Sequence, residues 1–438
     1  MPNDSDRIGP CVERRLGRRR ARHDPRGGDQ NSVHPGSFMD RPKLRKVDRI
    51  EHRRGGEELV VVRDPLRLAD PFAIDAELAP VLDMLDGTRT VGQIRQSLLM
   101  TRSMDLPAED LEAFVGQLRD QGLLDDDAFR ERWAQQHTDF VDAPTRAPGL
   151  AGLVYPADPV SLAAMLEQAI PSSTEGSPRT SPDSSLLGVL APHGPFDRVG
   201  ALLDETLRGL PPADALETIV ILGTDHGPGL LPYVVTDKPY ETPLGTSRVA
   251  EDLLGALERR VDWVLREEIR HREAMSLELA TVVLRHIYGS ACPPILHVLC
   301  GATGLSTPDQ QTAREQFELA LGGLCEDRPV LWWVSAELSH AGPAYGRSPL
   351  SDLERVELQE RDAELLTALR RGDEAGLVRA AQREHAQGPA SGGPTLAAAI
   401  RMLPPGYRGE LVRQTSYEAP GDEPGAVGVG GVRLHPPA

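Results

Sequence analysis

The sequence predicts an α/β domain over residues 150–438, a sheet with flanking helices, preceded by a small α+β domain and an unstructured arm. Three observations predict it. Short apolar runs at 186–190, 218–222 and 330–334 have the continuous hydrophobicity of strands buried on both faces. A helical pattern over 199–207 separates the first two runs, as in a β-α-β unit. The length, 438 residues, exceeds one ordinary domain and allows two or three.

Taken in order, residues 1–55 are rich in Arg, Asp, Gly and Pro with little apolar periodicity, so they cannot bury enough surface to offset chain entropy, and disorder is expected. The run Arg14-Arg15 and Arg18-Arg19-Arg20 could dock an acidic partner, although a solvated tail is the simpler reading. From Glu58 the pattern changes. Leu59 to Val62 reads as a strand, and Ile74, Leu78, Val81, Leu82 and Leu85 follow at helical spacing until Asp86-Gly87-Thr88 stops them. Val91, Ile94, Leu98 and Leu99 mark a second helix, and Leu111, Phe114, Val115 and Leu118 a third. Leu123-Leu124 reads as a closing strand. Residues 58–128 with their LDGTRT turn thus resemble the PqqD-like winged-helix fold. That resemblance implies a unit that binds a peptide by strand addition to a sheet edge; a helical cap without a ligand is the alternative. Residues 129–149 read as a helix running into a linker.

Composition narrows the function. A formal net charge of −18 works against affinity for nucleic-acid phosphate or an anionic membrane. No apolar run approaches the ~20 residues of a membrane span, and no apolar segment follows the N-terminal arginines, so a cytoplasmic protein is expected. The cysteines Cys11, Cys292, Cys300 and Cys325 lack C-x-x-C spacing, which leaves no zinc knuckle or disulfide framework; the last three read as buried small residues.

The chemistry gathers at strand ends. The first run leads into Ala191-Pro192-His193-Gly194, the second into Gly223-Thr224-Asp225-His226-Gly227, and the third into Ser335-Ala336-Glu337-Leu338-Ser339-His340. Carboxyl ends of neighbouring parallel strands border the crevice where ligands bind in open α/β sheets. Imidazoles placed there can converge on one metal, and Glu337 could complete a set for non-haem iron; each histidine could instead merely satisfy a buried backbone group. The charged stretches 267–273 and 354–364 read as solvated helical faces. Trp332-Trp333 reads as strand-to-helix packing, and 425–431 as a last sheet strand.

At these residues the sequence resembles the Memo family. The segments A-P-H-G-P-F (191–196), L-G-T-D-H-G (222–227), T-P-L-G (242–245), S-L-E (276–278), S-A-E-L-S-H-A-G (335–342) and S-G-G-P (391–394) carry the likeness, with Gly152 to Pro156 as an opening G-x-W-Y-P-like element. The resemblance implies a fold similar to class III extradiol dioxygenases and, for bacterial members, a place in the AmmeMemoRadiSam system beside a radical SAM protein. It also implies a metal cleft whose ligands fall on His193 and His226, with Glu337 and His340 lining it; as an enzyme, the chain would hold iron or another divalent metal there, Glu337 would ligate or act as base and His340 would move protons, with Asp225 also in the cleft. The sequence departs from the family where a cysteine is usual and Ser391 stands, and where an E-H pair is replaced by Ala274-Met275; Glu337 takes an aspartate's place. His385, or less directly His271, could substitute. Two functions stay open: a metal-dependent redox or hydrolytic enzyme, and a non-catalytic scaffold that captures peptide for a radical SAM partner.

Overall fold

The computed structural model describes residues 41–54, 57–64, 66, 68–69, 71–174, 177–181, 185–227, 229–301, 307–383, 388, 390–421 and 423–437. The arginine run and His385 lie outside the described residues. Two compact units form, one ending at Thr138 and the other beginning at Asp139.

In the first unit, strands β1 (Asp48–Arg54), β2 (Glu57–Arg63) and β3 (Phe72–Asp75) form an antiparallel sheet in that order, followed by helices α1 (Ala79–Met84), α2 (Val91–Arg102) and α3 (Ala108–Asp120). Val62, Leu82, Ile94, Leu98, Leu111 and Leu118 share one core. Three expectations need correction. Structure begins before residue 55: β1 pairs along its whole length with β2, and the buried Arg45–Asp64 pair fixes the preceding segment. Backbone pairing and ion pairs hold a charge-rich strand that apolar periodicity cannot reveal. Ile74 belongs to β3, opposite Val60, because the helix starts only where Pro80 fits the first turn. Leu123 and Leu124 are buried, but Leu124 contributes a single bridge, to Leu44, in place of a closing strand.

Helix α4 (Asp127–Asp142) carries the chain into the second unit. Residues 143–149 are more than a linker, since Arg146 is buried there and pairs with Glu278, which is fully buried. Glu278 also accepts Gly149 N at 3.0 Å, Leu150 N at 2.8 Å and the Tyr155 hydroxyl at 2.5 Å. The G-L-V-Y-P and S-L-E segments therefore meet as one anchor.

Helix α5 (Pro159–Ala169) precedes β4 (Gly188–Leu190), α6 (Phe196–Thr206), β5 (Thr218–Asp225), β6 (Tyr233–Val235), α7 (Glu251–Glu258) and α8 (Met275–Tyr288). Next come β7 (Ile295–Gly301), α9 (Pro308–Cys325), β8 (Val330–Ser335), β9 (His340–Ala341) and α10 (Asp352–Arg371). Helices α11 (Glu374–Gln382) and α12 (Gly393–Met402) lead to the hairpin β10 (Arg408–Glu418) and β11 (Ala426–His435). Among the described residues these strands form one mixed sheet in the order β9-β11-β4-β8-β5-β7-β6, with β10 on the outer edge of β11. Strands β4, β8, β5 and β7 are parallel. Alternate residues feed two cores: Val189, Ile221 and Trp333 face α6 and α8, whereas Leu190, Leu222 and Trp332 face α9, α10 and α12. Both faces are covered, which is why these strands read as unbroken apolar runs. Cys292, Cys300 and Cys325 are buried and free. No helix of the described residues is long and apolar enough to cross a membrane.

Candidate metal centre

The carboxyl ends of β4, β5 and β8 are neighbours, since β8 pairs with β4 on one side and β5 on the other. His193, His226 and Glu337 leave these ends and converge. His193 Nε2 lies 3.3 Å from His226 Nε2 and 3.6 Å from Glu337 Oε2, and one donor atom from each residue falls within 4.8 Å of the others. His193 and Glu337 are buried, while His226 is exposed to solvent. Glycines let the walls approach: a Cβ on Gly194 would meet the Tyr417 hydroxyl at 3.1 Å, and one on Gly392 would sit 1.9 Å from the Glu337 carbonyl oxygen.

Hydrogen bonds set the state of each donor. Ser335 Oγ has one proton and gives it to the Ser276 carbonyl at 2.8 Å. Its contact with His193 Nδ1 at 3.3 Å therefore requires Nδ1–H to donate, which leaves Nε2 with its lone pair toward the cleft. Burial pulls His193 down to about 4, so the ring is neutral at neutral pH. For Glu337, burial pushes its pKa upward, but His193, His340 and the Tyr417 hydroxyl outweigh it and hold the carboxyl below its ordinary range. His340 Nε2 meets Glu337 Oε2 at 2.9 Å, and Tyr417 donates to Oε1 at 2.5 Å. Burial and the adjacent carboxylate raise the Tyr417 phenol, so it keeps its proton as a donor. At neutral pH the centre is thus an ionised carboxylate beside a neutral imidazole.

Two imidazole nitrogens and a carboxylate oxygen suit a borderline or hard divalent ion. Two of the three spacings suit one as well: tetrahedral donors at metal–ligand lengths of ~2.1 Å stand about 3.4 Å apart, against 3.3 Å from His193 to His226 and 3.6 Å from His193 to Glu337, with the whole set within 4.8 Å.

The other expected residues are distributed differently. His340 joins the cluster through Glu337 and stacks on Tyr345 at 4.6 Å. Asp225 pairs with buried Arg270 and accepts Gly227 N at 2.7 Å, so its carboxylate is committed to the turn that presents His226. Ser391 is bonded to the segment after Glu337, its hydroxyl donating to the Leu338 carbonyl at 3.3 Å. His271 cannot serve, because its Nδ1 meets the Tyr240 hydroxyl and its Nε2 the Val234 carbonyl, both in the core. Residues 267–273 are accordingly not a solvated face: Arg270 and His271 turn inward as parts of a 3-10 turn. Arg361 and Asp362 of the 354–364 stretch are likewise buried, both against Ser339. Sequence reasoning missed Ser335 and Tyr417 as partners of the centre. Only strand pairing could have found Tyr417, which lies opposite Val427, itself opposite His340.

Comparison with known proteins identifies the family. The profile of the family described as Memo-like protein matches residues 146–419, more than half of the chain. A MEMO1 family protein of Aquifex aeolicus is 24% identical over 307 residues, covering 70% of this chain and 77% of its own length. One from Methanopyrus kandleri is 28% identical over 296 residues, covering 65% and 96%. One from Thermus thermophilus is 28% identical over 295 residues, covering 66% and 83%. With the matched region beginning at Arg146 and running past Tyr417, the chain belongs to the Memo family.

Proposed function

We propose that the second unit is a metal-binding domain that holds iron or another divalent metal through His193, His226 and Glu337. One observation carries this reading: two imidazoles and a buried carboxylate offer three donor atoms within 4.8 Å of one another. A metal bound there supplies Lewis acidity and, as iron, access to oxygen chemistry. The chain's own residues divide the remaining work. Ser335 keeps the His193 Nε2 lone pair facing the cleft, His226 meets incoming substrate at the solvent side, and His340, bonded to Glu337, can hold or pass a proton. A dioxygenase-like oxidation is the reaction class this donor set fits best, with hydrolysis as the alternative. Metal analysis of wild type against a His193→Ala/His226→Ala double variant tests the reading. About one equivalent in the wild type and none in the variant is expected; equal, negligible content in both would overturn it.

A partner role accompanies it. We place the chain in an AmmeMemoRadiSam-type system, with the first unit presenting peptide to a radical SAM protein in the manner of PqqD-like domains. The supporting observation is that β1, seven residues long, is the outer strand of its sheet among the described residues, with backbone groups along one edge available to an extended peptide. Pull-down with the full chain should retain a radical SAM protein or its peptide; retention undiminished by removing residues 48–54 would exclude this edge.

A further inference from the structure

We infer that Tyr417 is a positioning residue of the centre, holding Glu337 Oε1 so that Oε2 alone is presented toward His193 and His226. The inference rests on the metal reading above and adds how the carboxylate binds: through one oxygen.

The sheet register supplies the argument. Tyr417 of β10 stands opposite Val427 of β11, and Val427 stands opposite His340 of β9. Directly paired residues share a face, so Tyr417 and His340 flank one point from two strands apart. Glu337 fills that point. Tyr417 takes Oε1 at 2.5 Å and His340 takes Oε2 at 2.9 Å, so the carboxylate plane is fixed from both sides. Gly194 leaves room for the Tyr417 contact, since a Cβ there would lie 3.4 Å from Oε1 and 3.1 Å from the Tyr417 hydroxyl. Oε2 faces His193 Nε2 at 3.6 Å. An oxygen has two lone pairs, so Oε2 can keep His340 and still ligate, whereas Oε1 is turned away behind the phenol. Groups that hydrogen-bond a ligating carboxylate fix its orientation and, when removed, lower metal affinity roughly 10–100-fold.

Co(II) is the probe, because its visible absorption reports coordination. Wild type and Tyr417→Phe are titrated with Co(II), with circular dichroism on both. The expected result is a weaker, shifted band for Tyr417→Phe, as Oε1 becomes free to join the metal, with affinity lowered about tenfold or more and an unchanged fold. Identical bands and affinities would reduce Tyr417 to a packing residue and overturn the inference while leaving the metal reading intact. Absence of Co(II) uptake by wild type would overturn the metal reading itself. A measurement that needs no variant is the infrared difference spectrum of Co(II)-loaded minus metal-free wild type. A wide carboxylate splitting, typical of one-oxygen ligation, supports the inference, and a narrow one overturns it.

Discussion

Glu278 and Glu337 are two buried glutamates in one domain, and each accepts a tyrosine hydroxyl at 2.5 Å, from Tyr155 and Tyr417 respectively. They differ in what neutralises them. Glu278 meets the Arg146 guanidinium and two backbone N–H groups, so its charge and lone pairs are answered by fixed partners. Glu337 meets the neutral ring of His193, His340 and a phenol, with no arginine or lysine bonded to it among the described residues. A buried carboxylate with a built-in cation is a fastener. One beside imidazoles and a phenol has hydrogen-bond partners but no built-in cation, the setting in which the proposed metal would supply the counter-charge.

The contrast can be broken most forcefully at Glu278. Glu278→Ala leaves Arg146 buried and uncompensated, and a loss of about 3–5 kcal/mol is expected in urea denaturation followed by tryptophan fluorescence. A loss under 1 kcal/mol would mean that water replaces the carboxylate and that the fastener is not one. A third buried carboxyl, Asp362, sharpens the scale. Burial raises it to about 6 from 3.8, while Ser339 and Arg361 only partly oppose the rise. The folded state therefore holds this proton more tightly than the unfolded chain. The stabilisation is complete below pH 3.8 and is lost as pH rises through about 6, at most about 3 kcal/mol. Asp362→Asn should remove that dependence, so variant and wild type diverge in stability between pH 4 and 7; parallel curves would contradict it.

At Glu337 the effects are smaller and of another kind. Glu337→Gln keeps an acceptor for Tyr417, and a cost below about 2 kcal/mol is expected without metal. With divalent metal at a hundred times its Kd, wild type should gain about 2.7 kcal/mol, and Glu337→Gln almost none. Equal gains in a thermal-shift titration would remove Glu337 from the ligand set.

Much of this was legible in the sequence for a physical reason. Strands buried on both faces must be apolar throughout, so their ends are conspicuous, and P-H-G and D-H-G mark where β4 and β5 stop. The charged residues were harder. Arg270, Arg361 and Asp362 sit in stretches whose composition suits solvent, and only the tertiary fold turns them inward. Arg146 looked like linker because its partner Glu278 lies 132 residues away. Strand β1 was hidden because ladder hydrogen bonds carry no side-chain signature. Tyr417 was invisible as a partner for the same reason, its relation to Glu337 being a matter of register across β10, β11 and β9.

The contacts that build the centre span sequence separations of 33, 80 and 142 residues, for His193 with His226, Tyr417 with Glu337, and Ser335 with His193. Such long loops close late in folding. A growing chain on the ribosome would therefore carry scattered weak ligands until the terminal hairpin docks, unlike a zinc knuckle, whose neighbouring cysteines can seize an ion as soon as they emerge. An ion held by this centre would meet donors that the fold brings together from distant segments.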